Sequence, residues 1–312
     1  MPRCARLHIS GEVGCYHITA RTVGREFLFQ EPEKEQYLSQ LEKLSKGFYV
    51  ALHAFCVMDN HVHLLVTSLQ AEAENASKEE LIQRYRVIYG EKANPPLGSL
   101  EFNGEETPDD DGGIQRLRER LGSVSRFMQE LQQSFSRWYN KRHNRVGHFW
   151  ESRFHSTLFS RGESQLIAAS YIDLNPIRAG MVKRPEDYRW SSIGLQARDP
   201  SRFDQFVTPI DLLQEKGDIR WDWYRVFLYF AGSIKKENRA SIDPAMACEV
   251  EQLHGRLNLA DKLNYRIKNL TEGIGIGAED FIQSLQRRLN HKVVQAREFL
   301  SSSFYTTRYL RI

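Results

Sequence analysis

The chain has 312 residues, of which 41% are hydrophobic and 27% charged; this supports a sizeable core and one large domain or, as the better expectation, two. No run of about 18 uncharged apolar residues occurs, which excludes a helical membrane span, and Met1-Pro2-Arg3-Cys4 lacks the apolar stretch of a secretory signal. The net charge of +3 is too small to announce a nucleic-acid partner, but residues 68–113 hold eleven acidic and four basic side chains while residues 114–153 hold nine basic and three acidic ones, so a basic segment lies beside an acidic one; charge alone fits a solvated helix face and a nucleic-acid contact equally well.

Val13 to Thr22 alternates and is rich in β-formers, which predicts a strand. Glu31 to Lys46 places Tyr37, Leu38, Leu41 and Leu44 at helical spacing after Pro32. Phe48–Met58 and His61–Thr67 read as two strands joined by the turn pair Asp59-Asn60. From Ala71 to Gly113 the pattern fails. A short helix fits Lys78–Ile88, and Asn94-Pro95-Pro96 and an acidic run ending at Gly113 follow. So polar a segment is expected to be a mobile insertion, because it buries too little to order itself.

Ile114 to Arg142 is a long helical pattern that Gly122 could split. His148 to Phe159 is aromatic and reads as extended. Ser160 and Glu163 have capping-box spacing and open a helix that Pro176 should end. Beyond about residue 190, Leu212–Lys216, Trp221–Ala231, Pro244–Leu257 and Ala278–Leu289 read as short helices. The expected organisation is therefore a domain over 1–195, with the insertion at about 71–113, and a mostly helical C-terminal region over 196–312. The four cysteines (Cys4, Cys15, Cys56, Cys248) form no Cys-x-x-Cys pair, so reduced thiols, a cytoplasmic setting and no cysteine-built zinc site are expected.

Three constellations carry chemistry. In His61-Val62-His63, strand alternation turns both imidazoles to one face, a way to present two nitrogen ligands to one divalent ion. The plainer reading is local hydrogen bonding at a strand edge. Tyr171 and Asn175 are four apart on the capped helix and share a face, which suits a nucleophile beside a metal ligand. The plainer reading is a core tyrosine among Ile167, Ile172 and Leu174. In the stretch from Arg137 to Phe154, basic and aromatic residues alternate. Such groups can track phosphates and stack on unpaired bases, or simply divide between solvent and core.

The ordered motifs YHITAR (16–21), VMDNHVHLLV (57–66), GHFWESRFHS (147–156), YIDLNPIRAGMV (171–182) and YRWSS (188–192) together resemble the REP-associated tyrosine transposases. These are relatives of the small single-tyrosine HUH transposases of bacterial insertion sequences. The resemblance spans roughly residues 7–195. It implies an α+β, ferredoxin-like HUH core, in which an antiparallel sheet carries the histidine pair and faces the tyrosine helix. It implies His61, His63 and Asn175 as ligands of Mg²⁺ or Mn²⁺, and Tyr171 as the nucleophile toward single-stranded or hairpin repeat DNA through a 5′-phosphotyrosine link. No nucleotide cofactor is expected, since no Gly-rich phosphate loop occurs. Arg137, Lys141, Arg142, Arg145 and Arg153 are the candidates for backbone contacts, and Trp138 and Trp150 for stacking. The expected setting is the cytoplasm, at the nucleoid. The resemblance allows a homodimer, with Tyr171 acting in its own subunit or in its partner's. Two other functions fit the same residues: a non-catalytic DNA-hairpin-binding protein and a zinc-dependent hydrolase. The long acidic insertion and the roughly 120 residues after the motifs depart from the family pattern.

Overall fold

Alternating side chains organise the centre of the chain. A computed structural model describes residues 14–96, 111–210 and 221–254, with short stretches at 214–215, 218–219, 275–277, 293–298 and 305–309 and position 283. In chain order the elements are β1 (Cys15–Arg21), α1 (Glu31–Gly47), β2 (Val50–Val57), β3 (His61–Ser68), α2 (Gln70–Asn75), α3 (Lys78–Tyr89), α4 (Asp111–Gly122), α5 (Val124–Arg142), β4 (His155–Phe159), α6 (Glu163–Asp173) and α7 (Asn175–Arg178). There follow α8 (Ser192–Arg198), α9 (Pro200–Phe206), β5 (Gln214–Glu215), β6 (Asp218–Ile219), α10 (Trp221–Ser233), α11 (Pro244–His254), β7 (Gly275–Gly277), β8 (Val293–Glu298) and β9 (Tyr305–Tyr309).

The four strands β2-β3-β1-β4 lie in that order, antiparallel throughout. With α1 linking β1 to β2 and α5 preceding β4, this is the split βαβ arrangement of ferredoxin-like folds. The fold is α+β, as the sequence predicts. Tyr16, Ile18, Ala20, Val62, Leu64 and Val66 face one way and join Tyr37, Leu41, Phe127, Leu131 and Phe135 in one core. Cys15, Ala54, Cys56, Leu65 and Phe159 face the other way and pack with Ile167 and Ile172 of α6 and Phe227 and Leu228 of α10. Period-two alternation thus gives the sheet two buried faces, one of which also carries the polar residues described below.

Several elements differ from expectation for local reasons. Lys78–Tyr89 forms the helix expected over Lys78–Ile88, whereas Gln70–Asn75, at the start of the stretch expected to be mobile, forms a helix that was not. Ser77 caps α3 by accepting from the Glu80 N–H, and Leu81 and Ile88 are buried in the first core. Residues 97–110 lie outside the described residues. The long helix divides at Ser123, whose hydroxyl accepts from the Arg126 N–H. The cap of α6 is not the Ser160/Glu163 pair: the N-cap is Gly162, two residues later, and Gln165 Oε1 accepts from the Gly162 N–H at 3.2 Å. Gly162 can take the required φ of 82° because it lacks a Cβ. Pro176 does not end the helical path. It sits in the first turn of α7, where a missing N–H costs nothing, and the discontinuity falls at Leu174 instead.

In the C-terminal region α10 and α11 form where helices were expected. The same region also adds β7, β9 and β8 to the sheet beyond β4, with β7 parallel to β4. These strands were not foreseen, although Val293-Val294 and Thr306-Thr307 are β-branched pairs of the kind that favour strands. The helix expected over Ala278–Leu289 lies outside the described residues apart from position 283. Among the described residues no helix is long and apolar enough to cross a membrane.

Two contacts fix the layers around the site. The YRWSS segment covers the open edge of β2: the Val57 N–H donates to Trp190 O at 2.9 Å, the Tyr188 hydroxyl donates to Val57 O at 2.7 Å, and the Phe55 N–H donates to Ser192 Oγ at 3.1 Å. The buried Asp173 carboxylate accepts from Ser192 Oγ at 2.7 Å, the Ile193 N–H at 3.2 Å and the Tyr224 hydroxyl at 2.8 Å. It thereby ties α6 to α8 and α10, and burial pushes its pKa up to about 6 against the pull of those donors. Tyr224→Phe removes one buried hydrogen bond to this carboxylate and is expected to cost about 2 kcal/mol. Urea unfolding checks this, and an unchanged midpoint would show that the tie is not needed for stability.

Candidate active site

The β1–β3 register sets Thr19 opposite His63 and Arg21 opposite His61, and β4 sets His155 opposite Thr19. Directly paired residues share a face. His17 lies two residues along β1 on that same face. The end of the sheet near the Asp59-Asn60 turn therefore gathers His17, Thr19, Arg21, His61, His63 and His155 on the side that α6 covers.

Local bonds decide the state of the two motif histidines. Asn60 Nδ2 donates to Arg25 O at 3.1 Å, which fixes the amide so that its Oδ1 lies 2.7 Å from His61 Nδ1. An amide oxygen only accepts, so Nδ1 of His61 carries the hydrogen and Nε2 holds the lone pair. His63 Nδ1 lies 2.9 Å from His17 Nε2 and 3.3 Å from Thr19 Oγ1. Both Nδ1 atoms are thus occupied by supporting groups, and in the tautomer in which His63 Nδ1 donates to His17 both Nε2 atoms remain for a ligand, the arrangement that orients imidazoles around metals. Burial, aided by Arg21 and opposed by Asp59, pushes the pKa of His61 down to about 4. Burial and then the neighbouring His61, His17 and Arg21 push His63 well below the usual histidine range. Both rings are neutral at pH 7, the form that binds a metal.

Tyr171 approaches from α6. Its ring meets His63 edge-on at 5.7 Å and His17 edge-on at 5.6 Å between centroids. Burial raises its pKa, while the positive charges of Arg239 and Arg21 and the reach of Arg239 toward the hydroxyl act against that rise. Asn175 does not continue the α6 surface as the four-residue spacing assumes, because the break at Leu174 starts α7 there. Its Nδ2 turns back to donate to Tyr171 O at 2.8 Å. No hydrogen bond joins it to either histidine among the described residues, and its Oδ1 is the atom left to bind.

Among the described residues no group of three His, Cys, Asp or Glu side chains is arranged to hold a metal ion. The donor set that fits one is the neutral pair His61 and His63, completed by an amide oxygen or water. Two nitrogens with oxygens suit a borderline or hard divalent ion better than a soft one.

The candidate DNA contacts divide between α5 and the loop that follows it. Trp150 belongs to the first core: it packs on Phe29, Phe135 and Phe149, and its indole N–H donates to Gln132 O at 3.0 Å. Trp138 is half-buried against Phe135, with Arg142 over its ring at 5.6 Å. The exposed Arg137 pairs with the part-buried Glu130 at 3.7 Å, and the exposed Arg142 with the buried Glu33 at 3.6 Å. Lys141 and Arg153 are exposed and Arg145 is half-buried. The loop after α5 returns to the site end of the sheet, where the Glu151 N–H donates to Arg21 O at 2.9 Å.

Sequence reasoning missed His17, Thr19 and Arg21, although the alternation within YHITAR puts all three on one face. It also missed His155, which stands alone in its strand, and Arg239, for which the sequence carries no local signal.

Residues 13–91 match the family model of the IS200-like transposases. This is the wider group to which the ordered motifs point. The IS200-like match contains β1, β2 and β3, hence His17, His61 and His63, and stops before Tyr171. A solved structure described as a REP-associated tyrosine transposase bound to a REP hairpin is similar over 70% of this chain and 98% of its own, with 16% identity and a TM-score of 0.38. No curated protein matches.

A buried neutral histidine takes up its proton late. Between pH 6.5 and about 4 the unfolded chain binds the proton that folded His61 refuses, so the contribution of His61 to stability falls as the pH is lowered through that window. An NMR titration of the metal-free protein is expected to place His61 near pH 4; a midpoint near 6.5 would contradict the burial described above.

Proposed function

We propose that the chain is a metal-dependent single-strand DNA nicking and strand-transfer enzyme with Tyr171 as nucleophile. The observation that carries this reading is the meeting of Tyr171 with the supported histidine pair on one sheet face. A core tyrosine needs no neutral histidines with open Nε2 atoms beside it. The IS200-like match over β1–β3 supports the same chemistry.

His61 and His63, with Asn175 Oδ1 or water, would hold Mg²⁺ or Mn²⁺. When bound, such an ion polarises a phosphoryl oxygen and offsets the charge that develops on it. The chain's own residues do the rest. His17 and Thr19 hold His63 in orientation, and Asn60 holds His61. The Tyr171 oxygen attacks the phosphorus of a single-stranded phosphodiester and loses its proton. A tyrosyl O–P bond forms as the P–O3′ bond breaks, and the departing 3′-oxygen is protonated. One phosphodiester replaces another, so no nucleotide is consumed. Attack by a different 3′-hydroxyl on the 5′-phosphotyrosine link then completes strand transfer and restores the phenol. Arg145 and Arg153, on the loop that returns beside Arg21, are the candidates to track the strand. Arg137, Lys141 and Arg142 offer a more distant basic face for a hairpin or repeat.

Labelled single-stranded DNA carrying the repeats that flank the gene, incubated with Mn²⁺, is expected to give a denaturation-resistant adduct with the wild type and none with Tyr171→Phe. Equal yields from the two would remove Tyr171 from the nucleophile role. A DNA-binding protein without catalysis would show tight repeat binding and no adduct with any metal; a zinc hydrolase would turn over substrate without an adduct and ignore Tyr171→Phe.

His17 is a positioning residue in this scheme. His17→Asn is expected to weaken Mn²⁺ binding about 10- to 100-fold, read by the loss of the free Mn²⁺ resonance signal on titration. Unchanged affinity would show that His63 needs no such support.

A further inference from the structure

Beside Tyr171 lies a cleft lined by Ile167, Tyr171, Leu174, Arg178, Lys236 and Arg239, together with Ser170 and Ala231, and by neither motif histidine. Three cations line it and no carboxylate does. Its volume is about 20 Å³, room for one oxygen-sized atom rather than a whole phosphate group.

The C-terminal region builds two of the three cations into place. Lys236 and Arg239 pair across a tight turn, with the Arg239 N–H donating to Lys236 O at 3.2 Å. Asn238 takes the left-handed conformation at φ 56° that such a turn needs and that asparagine tolerates. Arg178 anchors this turn from α7. Its guanidinium donates to Ala231 O at 2.7 Å, Ile234 O at 2.9 Å and Ala240 O at 3.3 Å. It is 9% exposed, and its Nε–H is buried without a hydrogen-bond partner among the described residues. Glu237, in the same turn, does not line the cleft. Burial and then the charges of Arg178 and Arg239 push Lys236 down to about 8, which reports uncompensated positive charge in a confined space.

Cations with no carboxylate among them, gathered beside a nucleophile, are arranged for an anionic oxygen. We propose that Arg178, Lys236 and Arg239 form an anion subsite that takes one non-bridging oxygen of the phosphodiester attacked by Tyr171. This rests on the nicking reading given above. Lys236 and Arg239 come from the C-terminal region, so that region completes the active site instead of merely following it. Arg239 also lies near enough to the Tyr171 hydroxyl to steady the phenolate as it attacks.

Arg239→Gln and Lys236→Gln test the idea in the full-length chain. Arg239 is exposed and Lys236 half-buried, so both variants should fold, and urea unfolding verifies that they do. The first measurement is binding of a fluorescein-labelled oligothymidylate by anisotropy over a range of salt concentrations, without metal. Each variant is expected to flatten the plot of log affinity against log salt by about 0.7, the loss of one phosphate contact to a single strand. The second is the rate of adduct formation on repeat DNA with Mn²⁺, expected to fall by about 100-fold in Arg239→Gln. Arg239→Lys, which keeps the charge, should recover the salt slope. Unchanged slope and unchanged adduct rate in both glutamine variants would overturn the subsite while leaving the nicking reading intact. A flattened slope in a protein whose wild type forms no adduct would sustain the anion subsite and sink the nicking reading.

Discussion

Thr19 faces His63 across β1 and β3, and the pairing that sets them opposite each other sets the rest of the active face. Because the side-chain period of a strand is two, a slip of one residue would turn His61 and His63 into the apolar layer and Val62 and Leu64 out of it. The hydrophobic pattern forbids that slip: Val62, Leu64 and Val66 are fully buried against α1 and α5. The same burial that fixes the register also fixes the histidines. Packing and chemistry are coupled here through alternation rather than through any single strong bond.

Around this register each neighbour has a specific task. The Asp59-Asn60 turn holds Nδ1 of His61, and β1 holds Nδ1 of His63. Lys34 reaches Asp59 from α1 at 2.5 Å and lies over the Trp190 ring at 4.3 Å, which joins the turn to the segment covering β2. An uncovered β2 would be an edge strand open to other chains. On the other side Asp173, two residues after Tyr171, is held by Ser192, Ile193 and Tyr224. The tyrosine helix is thereby tied both to the segment that covers β2 and to the C-terminal helix α10. One face of the sheet belongs wholly to the first core, and the other shares the second core with a cluster in which His61 and His63 each have a neighbour that orients them.

The parts legible in the sequence are those governed by local periodicity. The strands β1, β2 and β3, the helix α1 and the placement of His61 and His63 on one face follow from alternation and spacing alone. Other features depended on tertiary context. Ser160 and Glu163 have the spacing of a capping box, yet the conformational freedom of Gly162 sets the start of α6 two residues later. Pro176 signals a helix end, but a proline is equally at home in the first turn of a new helix, so Asn175 sits at a break that spacing could not reveal. Trp150 has the composition of a stacking residue, and the aromatic core of Phe29, Tyr37, Phe135 and Phe149 claims it. Arg239 lies 68 positions after Tyr171 in the sequence, and no local pattern relates them. Only the packing of α10 on α6, with Arg178 anchoring the following turn, brings the two together.

The chemistry turns on which oxygen atom takes the phosphorus. After reaction of repeat DNA with Mn²⁺, nuclease trimming and tryptic digestion, mass spectrometry reads that atom's residue directly. Residues 162–178 form a tryptic peptide in which Tyr171 is the only tyrosine. A nucleotide mass on this peptide, localised to Tyr171 by fragmentation, is the predicted result; the same mass on any other peptide, with 162–178 recovered unmodified, would contradict it.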